Sequence, residues 1–326
     1  MEETANELRK RFNKRFYGMF PRNTGRQGLG VLALDFGTIL VAIIFAESLS
    51  TNGDVVYWLG YVLACVVIGT RQRSFGNIVH ECSHAGFVAD RRLNDVVGRF
   101  LSTLLCYSYD CYRDGHKTHH IYTGDYEKDE DFANTKAYEF HQPISGEIIR
   151  RHLVRLFTFQ FFPYYTGKTV FTNEDRPRWL FIRLLYVAFV LYGLVGIWSE
   201  WSGSALIVWY WVVPYVTVLP VIGYVSDLFD HAGLIGNDNE IDKSRNYPVS
   251  NRFFHWLFFP RHDSYHLVHH LFPMVPTKHL AACHEILMAE SPYYAARPHS
   301  LVEWFSDKFF QVPHKLVEYE IEKGST

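Results

Sequence analysis

The chain is poor in the motifs that carry bound redox cofactors. It has no G-x-G-x-x-G fingerprint for a dinucleotide, no iron–sulfur cysteine set and no haem-attachment motif. Its five cysteines (Cys65, Cys82, Cys106, Cys111, Cys283) include no C-x-x-C pair and suggest no disulfide framework, so they read as reduced thiols, intracellular-facing or membrane-buried. A net charge of -2 over 326 residues leaves no basic surplus for nucleic acid. Internal repeats and low-complexity stretches are absent too.

Charge is also missing from long stretches. Residues 29–48, 55–70, 180–198 and 205–226 are apolar runs, although a mean hydropathy of -0.07 for the whole chain conceals them. Such lengths suit helices crossing a bilayer core of about 30 Å. Asp35 and Arg183 interrupt the runs, so buried helices of a large soluble protein are the competing reading. The loops joining each pair, LSTNGD and SEWSG, contain no Lys or Arg. The segment RKRFNKRFYGMFPRNTGRQ is strongly basic, too charged for a signal peptide, and Arg71, Arg73, Arg91, Arg92, Arg176 and Arg178 flank the other run ends. The positive-inside rule then places both termini and the long middle segment in the cytoplasm. The expectation is an all-α membrane protein: two transmembrane helical hairpins, four spans in all, under a cytoplasmic helical cap. Its divisions would be a basic N-terminal segment (1–28), a membrane domain (29–290) and a cytoplasmic C-terminal tail (291–326).

Histidine is what the chain has in excess, 17 in all. Three clusters stand out: His80 and His84; His116, His119 and His120 in HKTHH; His266, His269 and His270 in HLVHH. The last two share the spacing H-x-x-H-H, and chance supplies far fewer than one such match at this composition. Positions i, i+3 and i+4 lie on one helix face, so each cluster is expected to aim its imidazoles at one place. Eight histidines exceed the needs of one ion, since zinc takes about four ligands, so the count asks for two metals. His231, just after the last apolar run, is a candidate ninth ligand. Imidazole alone does not name the metal. Neutral ligands leave divalent charge to be balanced, and Glu81, Asp110, Asp114, Asp129, Glu130, Asp131, Asp227, Asp230 and Asp263 all lie near the clusters in sequence. Of these, Glu81, Asp114, Asp131, Asp227 and Asp263 are the candidate outer-shell carboxylates.

The first cluster also fits H-E-x-x-H, the zinc-protease pattern with Glu81 as general base. Those residues by themselves leave both readings open. The order of the clusters does more. H-x-x-x-H, H-x-x-H-H, an apolar hairpin and H-x-x-H-H, with HECSHAGFVADRRLNDVVGRF, YRDGHKTHHIYTGDYEKDEDF and YHLVHHLFPMVPTKHLAACHEIL around them, resemble the membrane fatty acid desaturase family over residues 30–290. The resemblance implies two irons held by His80, His84, His116, His119, His120, His266, His269 and His270, with His231 matching an extra histidine of many members. It also implies O2 as co-substrate and oxidation of unactivated C–H bonds. Acyl-CoA members carry an asparagine one turn before that extra histidine; this chain has Asp227, a departure that touches the metal–water arrangement.

On this resemblance the expected activity is desaturation of a fatty acyl chain lying between the helices, in contact with the lipid bilayer. Hydroxylation of a lipid, or oxidation of a small amino-acid-like metabolite, is the alternative on the same scaffold. Electrons must come from a separate ferredoxin or cytochrome b5-type donor, because the chain has no motif for carrying them. The aromatic stretches TFQFFPYY (158–165) and WLFFP (256–260) suit either the acyl tunnel or the bilayer interface. An intramembrane zinc protease would need a third ligand from a later span and would leave two histidine boxes unexplained. A metal transporter would place its histidines within the spans.

Overall fold

The computed structural model describes residues 3–51, 53–132, 135–162, 177–198, 202–297 and 299–300. Residues 163–165 of the first aromatic stretch, residues 199–201 of the loop SEWSG and the tail from 301 onward lie outside the described residues. Among the described residues the fold is helical, with one isolated bridge, Asn23 to Val88, and no strand.

Helix α1 (Ala5–Met19) starts at a capping box, in which Thr4 Oγ1 accepts from Glu7 N and Glu7 Oε2 accepts from Thr4 N. Its apolar stripe, Leu8, Phe12 and Phe16, packs on Leu267, Val268, Leu271 and Phe272. The basic N-terminal segment is therefore joined to the third histidine box. Arg9 makes that explicit: it donates to the carbonyls of His270 and Leu271 (both 3.2 Å), satisfying the open end of a short helix.

Helices α2 (Gly25–Ser48) and α3 (Asp54–Ser83) pack along one another. α3 runs well past the apolar run seen in the sequence, because the charges that seemed to end it are internally paired. Arg71, 1% exposed, bonds to Asp35 (3.1 Å) and to the carbonyls of Trp256 and Leu257, and its guanidinium stacks on Trp256. Arg73 binds Asp263 through two nitrogens (3.0 and 2.8 Å). A charge whose partner waits on another helix does not stop a helix, and α3 continues to the first histidine box.

Helices α4 (Arg91–Leu104) and α5 (Tyr109–Tyr122) follow, capped by Asp90 and Ser108. Both are fastened to the end of α3: Asn94 Nδ2 and the Tyr109 hydroxyl donate to the Cys82 carbonyl (2.7 and 2.8 Å). Helix α6 (Gly146–Phe157) leads to α7 (Pro177–Trp198). Helices α8 (Ser202–Ile207) and α9 (Val213–His231) are joined by a π turn at Val208–Val212. α9 crosses α3 so closely at Gly69 that a Cβ there would sit 2.4 Å from Val218 Cβ. The remaining helices are α10 (Arg252–Phe258), α11 (His266–Leu271), α12 (Leu280–Glu290) and α13 (Pro292–Ala295).

Among the described residues, four segments are long and apolar enough to cross a bilayer: Gly25–Ser48, Asp54–Ser83, Pro177–Gly196 and Gly203–His231. Their outward side chains, such as Leu40, Ile44, Leu59, Val62, Leu184 and Val195, are exposed, which lipid tolerates and water does not. The second and fourth segments each end at a histidine box or at His231. His80 and His231 thus stand on the last turns of apolar helices rather than beyond them.

Candidate metal centre

The nine candidate histidines converge, but not box by box. His80, His84, His116, His120 and His269 form one group; His119, His231, His266 and His270 form the other. Within each group the ligand atoms all lie within 4.8 Å of one another. The expectation that each box aims at one place is therefore corrected: the second and third boxes straddle both groups. The cause is helix geometry. Residues i and i+4 are about 40° apart around the axis, whereas i+3 falls about 60° to the other side. His116 with His120, and His266 with His270, stay together, while His119 and His269 cross over.

Nitrogens meet nitrogens inside each group. Nε2 of His120 is 3.0 Å from that of His116 and 3.1 Å from that of His269. Nε2 of His266 is 2.8 Å from that of His231 and 2.9 Å from that of His270. The outer nitrogens decide what these contacts are. Asp131 Oδ2 accepts from His116 Nδ1 (2.9 Å), Asp129 Oδ2 from His119 Nδ1 (2.8 Å), and the Lys243 carbonyl from His231 Nδ1 (2.9 Å). A neutral imidazole that donates through Nδ1 turns a lone pair inward at Nε2. His80 Nε2 and His84 Nε2 are buried with no hydrogen-bond partner at all. Converging lone pairs repel unless a cation lies among them. Two nitrogens at about 2.1 Å from one ion and at right angles are about 3.0 Å apart, so the spacing suits a metal shell. The residues present fit two metal ions.

Burial keeps the ligand-ready form. It pushes His84, His120, His266, His269 and His270 well below the ordinary imidazole value, and neighbouring imidazoles add to the effect. His119 is the exception: burial opposes its protonation, but the bond to Asp129 and that carboxylate's charge outweigh it and raise the pKa.

The acidic residues separate into distinct jobs. Asp131 orients His116. Asp129 is completely buried and orients His119; Asp230 accepts from the Tyr247 hydroxyl (2.8 Å) and lies 3.6 Å from His266 Nδ1. Asp263 is paired with Arg73, and Asp110 with Arg99 and Arg113. Asp227 lines a cavity beside the histidines, as does Glu130, which is itself exposed. Asp114 does not join the site: its side chain is 79% exposed and lies 3.8 Å from Arg113. Two residues before His116, it stands on the opposite face of α5.

Glu81 is buried and held by three hydrogen bonds. Arg261 Nη2 (2.6 Å) and Thr277 Oγ1 (3.0 Å) donate to its Oε2, and Thr277 N (2.9 Å) to its Oε1. It ties the end of α3 to both flanks of the third box, where Arg261 and His262 adopt left-handed backbone. Its three hydrogen bonds go to Arg261 and Thr277, the arrangement of a structural carboxylate rather than of a general base.

Comparison with known proteins settles the family. The fatty acid desaturase family model matches residues 57–301. The chain belongs to the fatty acid desaturase family. It is thus a desaturase-type oxidoreductase and an integral membrane protein. Dihydrorhizobitoxine desaturase of Bradyrhizobium elkanii is 28% identical over 319 residues, covering 89% of this chain and 82% of that one. An endoplasmic reticulum omega-3 fatty acid desaturase of Nicotiana tabacum is 27% identical, covering 68% and 63%. An sn-1 acyl-lipid omega-3 desaturase (ferredoxin) of Synechocystis sp. is 22% identical, covering 77% and 72%.

Several supporting groups of the site were invisible to sequence reasoning. The Lys243 carbonyl has no side-chain signature. Tyr112, which stacks on His116 with the rings 4° from parallel, looks like any core aromatic. Arg261 and Thr277 would have been found only by asking what neutralises Glu81.

Proposed function

We propose that the protein is an O2-dependent di-iron desaturase. One iron would be held by His80, His84, His116, His120 and His269, the other by His119, His231, His266 and His270. The observation that carries this is the pair of converging, inward-facing imidazole groups with orphaned or mutually opposed Nε2 atoms. Iron is preferred over zinc because the family's reaction is a redox one and zinc has no redox chemistry. When bound, the irons would supply the O2 activation that side chains cannot provide.

The chain's own residues do the rest. Asp129, Asp131 and the Lys243 carbonyl fix the tautomers of His119, His116 and His231. α3, α5 and α9 wall a cavity of about 410 Å³ that ends on His80, His116, His119, His231 and His266. There a substrate is oriented and water excluded. The overall change is –CH2–CH2– + O2 + 2 e⁻ + 2 H⁺ → –CH=CH– + 2 H2O. The electrons come from an external donor of the ferredoxin or cytochrome b5 type; one relative's name specifies ferredoxin. Both termini and the metal site face the cytoplasm, a reading supported by the uncharged loops and the flanking arginines. The names of two relatives point to acyl substrates, while a third is named for dihydrorhizobitoxine.

Metal exchange tests the reading. Protein reloaded with ferrous iron should consume O2 when given an oxidisable substrate and a reduced donor, and zinc-loaded protein should not. Full turnover of the zinc form would overturn it.

A further inference from the structure

The two histidine groups differ in what brings their members together. Four histidines of the five-membered group stand at the end of α3 and on α5, and Tyr109 of α5 bonds directly to the Cys82 carbonyl of α3 (2.8 Å). The four-membered group draws His119 from α5, His231 from the end of α9, and His266 and His270 from α11. α11 has only six residues, too few for a helix to be stable alone in water, so its place is set from outside. Arg9 holds its carbonyl end. Its N–H end has no side-chain cap of its own.

Residues 243–247 supply that cap, although they belong to no helix. On one side they grip α9. The Lys243 carbonyl accepts from His231 Nδ1, Arg245 N donates to the Asp230 carbonyl (3.1 Å), and the Arg245 guanidinium donates to the Ala232 carbonyl. On the other side they grip α11 and the turn before it. The Arg245 carbonyl accepts from Leu267 N (3.2 Å), Asn246 Oδ1 from Val268 N (3.2 Å), and Tyr247 N donates to the Ser264 carbonyl (2.8 Å). Tyr247 also sends its hydroxyl back to Asp230.

Asn246 is the side chain on which the α11 contact turns. It is 1% exposed, and Val268, whose N–H it takes, is completely buried. A backbone N–H only donates, so the amide must present its oxygen there. Its Nδ2 then donates to the Tyr294 hydroxyl (2.6 Å), itself 2.7 Å from His284 Nδ1. Tyr294 and His284 are thus the backing that keeps the amide facing α11.

We propose that Asn246 is a positioning residue of the four-histidine site. With its neighbours in 243–247 it fixes α11 against α9, and so sets where His266 and His270 stand relative to His231. The four-histidine site is therefore the more weakly held of the two, because the other group takes only His269 from α11. The inference rests on the two-ion reading above.

Chelator competition on iron-loaded protein in detergent tests it, with iron retained per chain as the readout. Wild type should release its irons in two steps; His266→Ala should lack the weaker step and His84→Ala the tighter one. Asn246→Leu should weaken only the weaker step, by roughly 10–100-fold, the range for loss of an outer partner. Tyr247→Phe keeps the ring and loses one hydrogen bond, so it should shift the same step by roughly two- to tenfold, and it decides alone if Asn246→Leu does not fold. Asn23→Leu is the control: Asn23 is another buried asparagine, bonded to the Phe87 carbonyl and Lys278 Nζ, and its loss should lower the melting temperature while leaving both steps in place. Release of both irons from wild type in one step, strap variants that move both steps equally or neither, or an equal shift in Asn23→Leu would overturn the inference and leave the di-iron reading intact. Wild type holding a single metal would overturn both.

Discussion

Asp129 offers the sharpest perturbation of the site. Its side chain accepts four hydrogen bonds: Oδ2 from His119 Nδ1 (2.8 Å) and Gly124 N (3.0 Å), and Oδ1 from Asp131 N (3.1 Å) and Phe132 N (3.2 Å). All four partners point a hydrogen at it. In Asp129→Asn the amide can accept only through its single oxygen. Whichever way it lies, its NH2 group faces two donors and leaves them unsatisfied. Each buried donor so stranded costs about 1–3 kcal/mol, so the loss is roughly 2–6 kcal/mol. That is a large part of a typical stability of about 5–15 kcal/mol. The effect on metal should be selective, because His119 belongs to the four-histidine group only. Loss of an orienting partner typically weakens a site by about 10–100-fold. Differential scanning fluorimetry and elemental analysis of one preparation should show a lower melting temperature and an iron content moving from two toward one per chain. Wild-type melting with two tightly held irons would refute this reasoning.

Other outcomes follow from the same contacts. Glu81→Gln should destabilise by about 3–5 kcal/mol, because Arg261 loses its buried counter-charge; protein that does fold should keep its metals, and a normally stable but dead enzyme would restore a catalytic role for Glu81. Gly124→Ala should fail to fold or melt far lower, since its φ is +81° and a Cβ would lie 1.6 Å from Ile235 Cγ2; wild-type melting would contradict that. Metal-free protein should lose stability as pH falls below the ordinary histidine value of 6.5, because His84, His120, His266, His269 and His270 stay neutral when folded and protonate when unfolded; a flat melting temperature from pH 7 to 5 would contradict it. A cysteine placed at Gly203 should be labelled only from the non-cytoplasmic side.

The four apolar segments and the spacing of the boxes were legible because both are local properties of the chain. What the sequence could not show depends on which helices cross. Arg71 looks like the end of a span until Asp35, 36 positions earlier, is found beside it. Asp114 is nearer to His116 in sequence than Asp131 is, yet the helix turns it outward while the following loop brings Asp131 back. The division of nine histidines into five and four depends on the side of each helix to which the i+3 histidine falls and on which other histidines the fold brings there. Spacing alone made each box look like a unit. Glu81 stands beside His80 in sequence, yet the partners of its carboxylate, Arg261 and Thr277, come from the far side of the chain.

The most direct measurement is the metal content of the purified protein, counted by mass spectrometry of the elements against protein concentration. Two inward-facing histidine groups predict close to two irons per chain, with His84→Ala and His266→Ala each retaining about one. A single metal per wild-type chain, or stoichiometric zinc in fully active protein, would contradict the account.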